Sequence, residues 1–167
     1  MLASYNGKKY LLVSLLAIIL DGVISYYLPS YFNNINYIYP MFTVSLIPFL
    51  SKENSKKNIL YIFVIGLIYN LLYSNIFLFH SLVFIMLFKI NNIFLNIVKD
   101  QFISYVILVI INIIFYDSLY FILMLLTNYQ VMNISDLIYK IKYSLPNVLS
   151  VFVYWFIIKK QNKLHKM

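Results

Sequence analysis

Residues 102–127 read FISYVILVIINIIFYDSLYFILMLLT. The stretch contains one charged residue, Asp117, and it exceeds the roughly 17–25 residues that a helix needs to cross a bilayer. It therefore predicts a membrane-spanning helix. The rest of the chain is best interpreted with lipid as the surrounding solvent.

The composition of the whole chain agrees with a lipid environment. Of its 167 residues, 63% are hydrophobic and only 11% are charged, whereas soluble domains carry roughly 25% charged residues. Mean hydropathy is +0.84. A soluble core of this size could not bury so much apolar surface, so we expect a single integral membrane domain over residues 1–167, with no internal repeat.

Five more apolar segments accompany residues 102–127, namely residues 10–28, 37–50, 59–73, 76–90 and 145–158. Together they predict an all-α membrane protein, a bundle of about six transmembrane helices. The second segment is expected to be irregular, because Pro40 and Pro48 interrupt it and proline removes a backbone donor. No small-residue cleavage site follows the first segment, which predicts that it is retained as a helix.

Lysine placement predicts the orientation of these spans. All thirteen basic residues are lysines. With both termini in the cytoplasm, only Lys140 and Lys142 face outward, and the inner side collects the other eleven, in agreement with the positive-inside rule: Lys8, Lys9, Lys52, Lys56, Lys57, Lys89, Lys99, Lys159, Lys160, Lys163 and Lys166. Lysines at segment ends, without arginine, indicate headgroup contact and argue against nucleic acid as a partner.

The longer outer connection contains an amphipathic stretch before the last span. Ile134, Leu137, Ile138 and Ile141 recur at helical spacing, with Asn133 as a possible N-cap. Two interpretations stay open: a short helix that bridges two spans, or one that lies on the outer leaflet or on a partner.

Few residues could carry catalysis or metal binding. The chain has no cysteine, which excludes disulfides and thiolate sites. His165 lies in the terminal tail, and His80 has no partner at ligand spacing, so we interpret His80 as a hydrogen-bonded packing residue. No hydrolase, metalloprotease or phosphate-binding motif is present. We predict no enzyme activity, no cofactor and no metal.

Two acids lie within predicted spans, Asp21 and Asp117. An ionisable group at membrane depth usually faces a bundle interior, a cavity or a partner. No lysine is predicted to be buried beside them, so we expect the two acids either to be neutral or to form hydrogen bonds to Asn70, Asn112, Ser118 or a tyrosine hydroxyl. A structural polar network, proton or ion coupling, and contact with a partner subunit all remain open.

Further candidate packing or partner-contact positions are Gly66, Asn70 and Tyr73 in the third segment, and Pro146 and Asn147 at the start of the last one. Gly66 permits close helix approach, and Asn70 lies on the same helix face. Proline is well tolerated in the first turn of a helix, and the Asn147 amide requires hydrogen-bond partners.

Four features in order resemble the rod-shape-determining protein MreD family in its Gram-positive branch. They are Leu20-Asp21-Gly22 in the first span, GLIYNLLY at residues 66–73, the apolar segment directly after it, and residues 117–120 followed by a polar amphipathic stretch and Leu145-Pro146-Asn147. The likeness covers nearly the whole chain. Asn70 stands where the family commonly has an aspartate. The asparagine retains the capacity to form hydrogen bonds but carries no charge.

The resemblance implies a non-enzymatic subunit of the bacterial cell-elongation complex in the plasma membrane. It implies an MreC-like partner, with an MreB-like filament and a RodA-type glycosyltransferase and its transpeptidase nearby, and a role in organising peptidoglycan synthesis. The alternative is the substrate-binding membrane component of a vitamin-type importer, although the first span lacks the small-residue docking motif of those proteins. A lipid-modifying enzyme is a third class.

Overall fold

The computed structural model describes residues 3–27, 40–52, 56–73, 76, 78–98, 101–127 and 133–159. This part of the chain is all-α, as predicted, and contains no strand. The outer loop at residues 29–36, Lys99 and the tail with Lys160, Lys163, His165 and Lys166 lie outside the described residues.

The helices are α1 (Ala3–Tyr27), α2 (Met41–Leu50), α3 (Lys56–Tyr73), α4 (Phe79–Ile97), α5 (Phe102–Thr127), α6 (Ile134–Ser144) and α7 (Ser150–Tyr154). Helices α1 to α5 overlap the first five predicted apolar segments, but α4 ends seven residues beyond the predicted segment 76–90 and α1 begins seven residues before the predicted segment 10–28. A 3-10 turn, Leu145–Leu149, joins α6 to α7, and a π turn, Trp155–Lys159, follows α7. The bounds of α5 equal the predicted ones, because an uninterrupted apolar run defines both.

Two of these helices, α4 and α5, are long and apolar enough to cross a bilayer. The apolar part of α1, Tyr10–Ser25, is shorter. In α3 the two lysines of the first turn and the interior Asn70 reduce the apolar content. By length and composition, then, α4 and α5 are the candidate spans.

The short helix α2 occupies the centre of the bundle. It packs against α1, α4, α5 and α7, and nearly all of its described side chains are buried. Ten residues give a length of about 15 Å, about half of a hydrocarbon core of roughly 30 Å. Pro40 occupies the N-cap position and Pro48 lies in the last turn, which accounts for the shortness of this element.

The closest helix pair is α3 and α4. A Cβ added to Gly66 would lie against the Ser81 backbone, 2.7 Å from its nitrogen. Glycine therefore lets the two backbones approach each other directly, as small residues do between membrane helices.

The last elements form one continuous rod over residues 134–159, which we call the C-terminal rod. Its joining residues Ser144, Leu149 and Ser150 all have right-handed helical φ and ψ. Pro146 lacks an N–H and so cannot continue the α-helical ladder, and the chain tightens into a 3-10 turn there. The predicted amphipathic helix and the predicted sixth span are thus two parts of one continuous helical segment, which changes from an α-helix to a 3-10 turn near Pro146.

The C-terminal rod runs antiparallel to α5. The rings of Phe102 and Trp155 meet near one end of the pair, with centroids 5.4 Å apart. Towards the other end, the Lys140 ammonium lies 4.2 Å from the centroid of the Tyr120 ring. Contacts thus progress in opposite directions along the two elements.

The bundle exposes many apolar side chains and buries several polar and charged ones. The buried residues include Asp21, Asn70, Asp117 and Lys140, whereas leucine and isoleucine side chains are exposed along α1, α3, α4 and α5. Soluble monomers rarely expose such extensive apolar surface. Polar residues that face a bundle interior are typical of membrane helices.

We expect Gly66→Ala to lower the stability of the bundle by about 1–3 kcal/mol through overpacking against the α4 backbone. Gly22→Ala is the matched control, because its added methyl meets only the ring end of Tyr73 and both changes share the same gain in helix propensity. Thermal unfolding in detergent should show the larger loss for Gly66→Ala. Equal losses would contradict a backbone-to-backbone seam.

Candidate functional site

Asp21 caps the beginning of α2 from another helix. Its carboxylate accepts the Phe42 N–H at 2.6 Å, the Thr43 N–H at 3.1 Å and the Thr43 hydroxyl at 2.5 Å. The N-cap residue Pro40 makes no side-chain cap of its own. The first N–H groups of a helix lack partners within it, and a negative charge there is favourable. Asp21 in α1 thus provides the side-chain cap for α2 that Pro40 does not provide.

The end of α2 is capped from α4. The Asn92 amide donates to the Ser51 carbonyl at 2.8 Å, and the Ser51 hydroxyl bonds back to the Ile47 carbonyl at 2.7 Å. Both ends of the buried helix are therefore satisfied by side chains, as an apolar environment requires.

Tyrosines surround the Asp21 end of α2. The rings of Tyr69 and Tyr73 pack edge to face, with centroids 5.0 Å apart. The Tyr73 hydroxyl donates to the Ile18 carbonyl at 3.0 Å, and the Tyr154 hydroxyl donates to the Phe42 carbonyl at 3.0 Å. These bonds connect α3 to α1 and α7 to α2 at one level of the bundle.

A second chain of hydrogen bonds crosses from α3 to α5 through His80. The Asn70 carbonyl oxygen accepts both the His80 backbone N–H at 3.2 Å and Nδ1 at 2.7 Å, while its amide donates to Ser81 at 3.2 Å. With Nδ1 as donor, neutral His80 accepts through Nε2 from the Tyr116 hydroxyl, 2.8 Å away. The histidine is thus an internal connector between three helices.

Asp117 lies beside a buried lysine. Lys140 is 1% exposed and Asp117 is 2% exposed, and the Lys140 ammonium lies 4.2 Å from the centroid of the Tyr120 ring, which is three positions after Asp117 on α5. The prediction that no lysine is buried near the acids is wrong. The cause is the rotation of α6, which turns Lys140 and Ser144 inward and leaves Ile134 and Ile138 exposed.

Asn147 stabilises the break in the C-terminal rod. The Asn147 side-chain amide donates to the Ser144 backbone carbonyl. The Asn147 backbone carbonyl accepts the Ser150 hydroxyl at 2.6 Å. Pro146 occupies one of the first positions of the same 3-10 turn. The side-chain hydrogen bonds of this turn are thus local to the C-terminal rod.

Five buried polar side chains have at least one atom that makes no hydrogen bond among the described residues. These atoms are both amide atoms of Asn91 and of Asn112, the Tyr69 hydroxyl, Asp117 Oδ2 and Lys140 Nζ. Asn112, one of the partners expected for the two acids, therefore does not bind Asp117. Each unsatisfied group costs about 1–3 kcal/mol, so these positions weaken the packed bundle.

The chemistry available to these groups is hydrogen bonding and charge pairing. Within the described ranges, no group of three or more His, Asp or Glu side chains could hold a metal ion. Asp21, Asn70 and Tyr73 use their polar atoms to join helices. The arrangement fixes the relative positions of α1 to α4.

Sequence reasoning missed several members of the network, chiefly Thr43, Asn92, Tyr116, Lys140 and Tyr154. One of them had a readable signal: Thr43 follows Pro40 at a helix start, where hydroxyl residues commonly satisfy backbone donors. The others depend on which faces of distant helices meet.

Comparison with known proteins adds no identification. No protein-family model, no curated protein and no solved structure matches this chain. Its own residues therefore carry the functional argument.

We expect Asp21→Ala to destabilise the bundle by about 3 kcal/mol, because hydrogen bonds to a charged group contribute about 1.5–3 kcal/mol and the α2 donors stay buried. Asp21→Asn should lose less, since one amide oxygen still accepts. Chemical unfolding in detergent measures both. Ser14→Ala, which removes a hydroxyl bonded to Tyr61, is the control, and an Asp21→Ala loss no larger than that of Ser14→Ala would contradict the capping role.

We expect His80→Phe and Tyr116→Phe to be non-additive. Each removes the bond between His80 Nε2 and the Tyr116 hydroxyl, so their interaction free energy should be about 0.5–1.5 kcal/mol. A double-mutant cycle by thermal unfolding measures it. In the control cycle, His80→Phe with Thr127→Ala, the two sites share no partner, so their changes in unfolding free energy should be additive. Additive changes in both cycles would contradict the proposed bond between His80 and Tyr116.

Proposed function

We propose that this chain is a multi-pass protein of the bacterial plasma membrane, with six membrane segments and both termini in the cytoplasm. Support comes from the two span-length helices α4 and α5 and from the outward apolar and inward polar surfaces. In this arrangement α2 is enclosed by its neighbours, so its short length and side-chain caps are compatible with membrane depth. The C-terminal rod supplies the sixth segment.

The lysines support this orientation. Lys52, Lys56 and Lys57 are exposed near the predicted cytoplasmic face. Lys89 is also exposed but lies in the middle of α4, because that helix continues to Ile97. On the opposite side Lys142 is exposed and Lys140 is buried. The support from the positive-inside rule therefore remains the sequence count of eleven lysines to two.

We further propose that the chain is a non-enzymatic subunit of the cell-elongation complex, of the MreD kind. The observation that carries this proposal is that Asp21, Asn70 and Tyr73 each form a hydrogen bond between two helices of the same bundle. These bonds join α1 to α2, α3 to α4 and α3 to α1. These are the polar residues on which the resemblance rests.

Such a subunit would act by presenting a rigid surface to other membrane proteins. Its expected partners are an MreC-like protein, an MreB-like filament and a RodA-type glycosyltransferase with its transpeptidase, together with membrane lipids and no nucleic acid. A fixed interior and extensive exposed apolar helix faces suit this role, because packing between membrane helices needs surface shape more than reactive groups.

Depletion of the protein in its own bacterium tests the proposal. We expect elongated cells to become round, and the tagged protein purified in mild detergent to carry an MreC-like protein with it. Complementation should fail with Gly66→Leu, which separates α3 from α4, and should succeed with Ser135→Ala at an exposed position.

A vitamin-type importer subunit would give the opposite pattern. Depleted cells would keep their shape, and a small molecule would remain bound to the purified protein. That result would reject the cell-elongation role while leaving the membrane location intact.

A further inference from the structure

Lys142 is an exposed lysine in the first half of the C-terminal rod. It comes two positions after the buried Lys140, and two positions of an α-helix correspond to a rotation of about 200°. Lys142 therefore points away from the bundle, towards whatever surrounds the protein.

Ring contacts fix the register between the C-terminal rod and α5. The Trp155 and Tyr105 rings have centroids 5.5 Å apart, and the Lys140 ammonium lies 4.2 Å from the centroid of the Tyr120 ring. Fifteen positions separate the two contacts on each element. The two elements therefore keep one antiparallel register over this length.

This register places Lys142 at membrane depth. It is level with about Ser118 on α5, and beyond that level α5 continues through residues 119–127, LYFILMLLT, for about 13 Å. A lysine side chain, with its four-carbon stem, spans about half of that distance. If α5 crosses the membrane, the Lys142 ammonium lies in the outer half of the hydrocarbon region.

Apolar side chains accompany Lys142 on the outer surface of the C-terminal rod. Together with Lys142 they recur at intervals of three, four or seven residues, and each is at least 49% exposed: Ile134, Ile138, Leu149, Phe152 and Phe156. If the rod is the sixth membrane segment, this surface meets lipid or another membrane helix. Lys142 is the one exposed charge among the rod side chains that the structure describes.

The acids that the structure describes are engaged or enclosed elsewhere. Asp21 accepts the first N–H groups of α2, and Asp117 is buried inside the bundle. Asp136 accepts the Asn133 N–H at 2.8 Å at the start of α6, six positions before Lys142. Within the described ranges, a second copy of this chain therefore exposes no carboxylate at this depth. Lipid phosphates lie at the membrane surface, so an acid that meets Lys142 at this depth belongs to another membrane helix.

We propose that the exposed face of the C-terminal rod docks one transmembrane helix of a partner protein, and that this helix carries an aspartate or glutamate level with Lys142. A charge at membrane depth is costly, and ionisable groups in membrane helices usually pair with one another. Lys142 selects the partner helix and fixes its height, as one polar residue fixes the register of a coiled coil. The apolar side chains above and below it supply the packing. The inference rests on the proposed membrane location and not on the cell-elongation role.

A designed transmembrane peptide tests this docking face. The probe is a leucine-rich helix of about 23 residues with one aspartate about 5 Å from its middle, the depth of Lys142 relative to the middle of α5. One control peptide has leucine in place of the aspartate, and another has the aspartate at its end. The chain has no cysteine, so Ser135→Cys, exposed on α6, carries a donor fluorophore for energy transfer to the labelled peptide in phosphatidylcholine vesicles.

We expect the probe to associate at least about tenfold more tightly than either control peptide, equivalent to about 1.4 kcal/mol. Lys142→Met should abolish this preference, and it should leave thermal unfolding unchanged because the side chain is exposed. Lys89→Met, which removes an exposed lysine of α4 instead, is the matched control and should preserve the preference.

Equal association of the probe and the leucine peptide would overturn the inference, and so would an equal loss of preference in Lys89→Met. Loss of the preference on adding phosphatidylglycerol would also overturn it, because lipid headgroups would then be the ligand of Lys142. Flotation of the vesicles first shows whether the protein is inserted, and failure to insert would overturn the membrane location together with this inference. None of these outcomes depends on cell shape or on a co-purified partner.

Discussion

The fold depends on the need to satisfy both ends of a short helix that is buried among apolar side chains. The first N–H groups and last C=O groups of α2 have no partners within the helix, and no water reaches a bundle interior that faces lipid. The Asp21 carboxylate accepts the N–H groups at the first end, and the Asn92 amide donates to a carbonyl at the other end. Since these residues belong to α1 and α4, the caps also fix where those helices lie.

The remaining polar residues extend the same principle outward. His80 joins Asn70 to Tyr116, and Tyr154 attaches α7 to the start of α2. The result is a bundle whose helices α1 to α5 and α7 are joined to one another by side-chain hydrogen bonds.

The positions of the helices along the chain were predictable from the sequence, whereas the side-chain contacts between the helices were not. Long apolar runs define helices such as α5 because length and hydropathy suffice for that inference. Asp21 is recognisable as a costly residue at membrane depth, but its partner Phe42 is a backbone donor in another helix. The amphipathic pattern correctly predicted the helix α6 but not which side of it faces the bundle, since Lys140 is buried while Ile134 and Ile138 are exposed.

The most direct test of the central role of α2 is amide hydrogen exchange of the unmodified protein in lipid nanodiscs. If side-chain caps close both ends of a buried helix, residues 41–52 should exchange as slowly as the middle of α5, including Phe42 and Thr43 at the very start, where helix ends normally fray. Exchange of residues 41–52 within the time of loop amides, while α5 stays protected, would contradict the account.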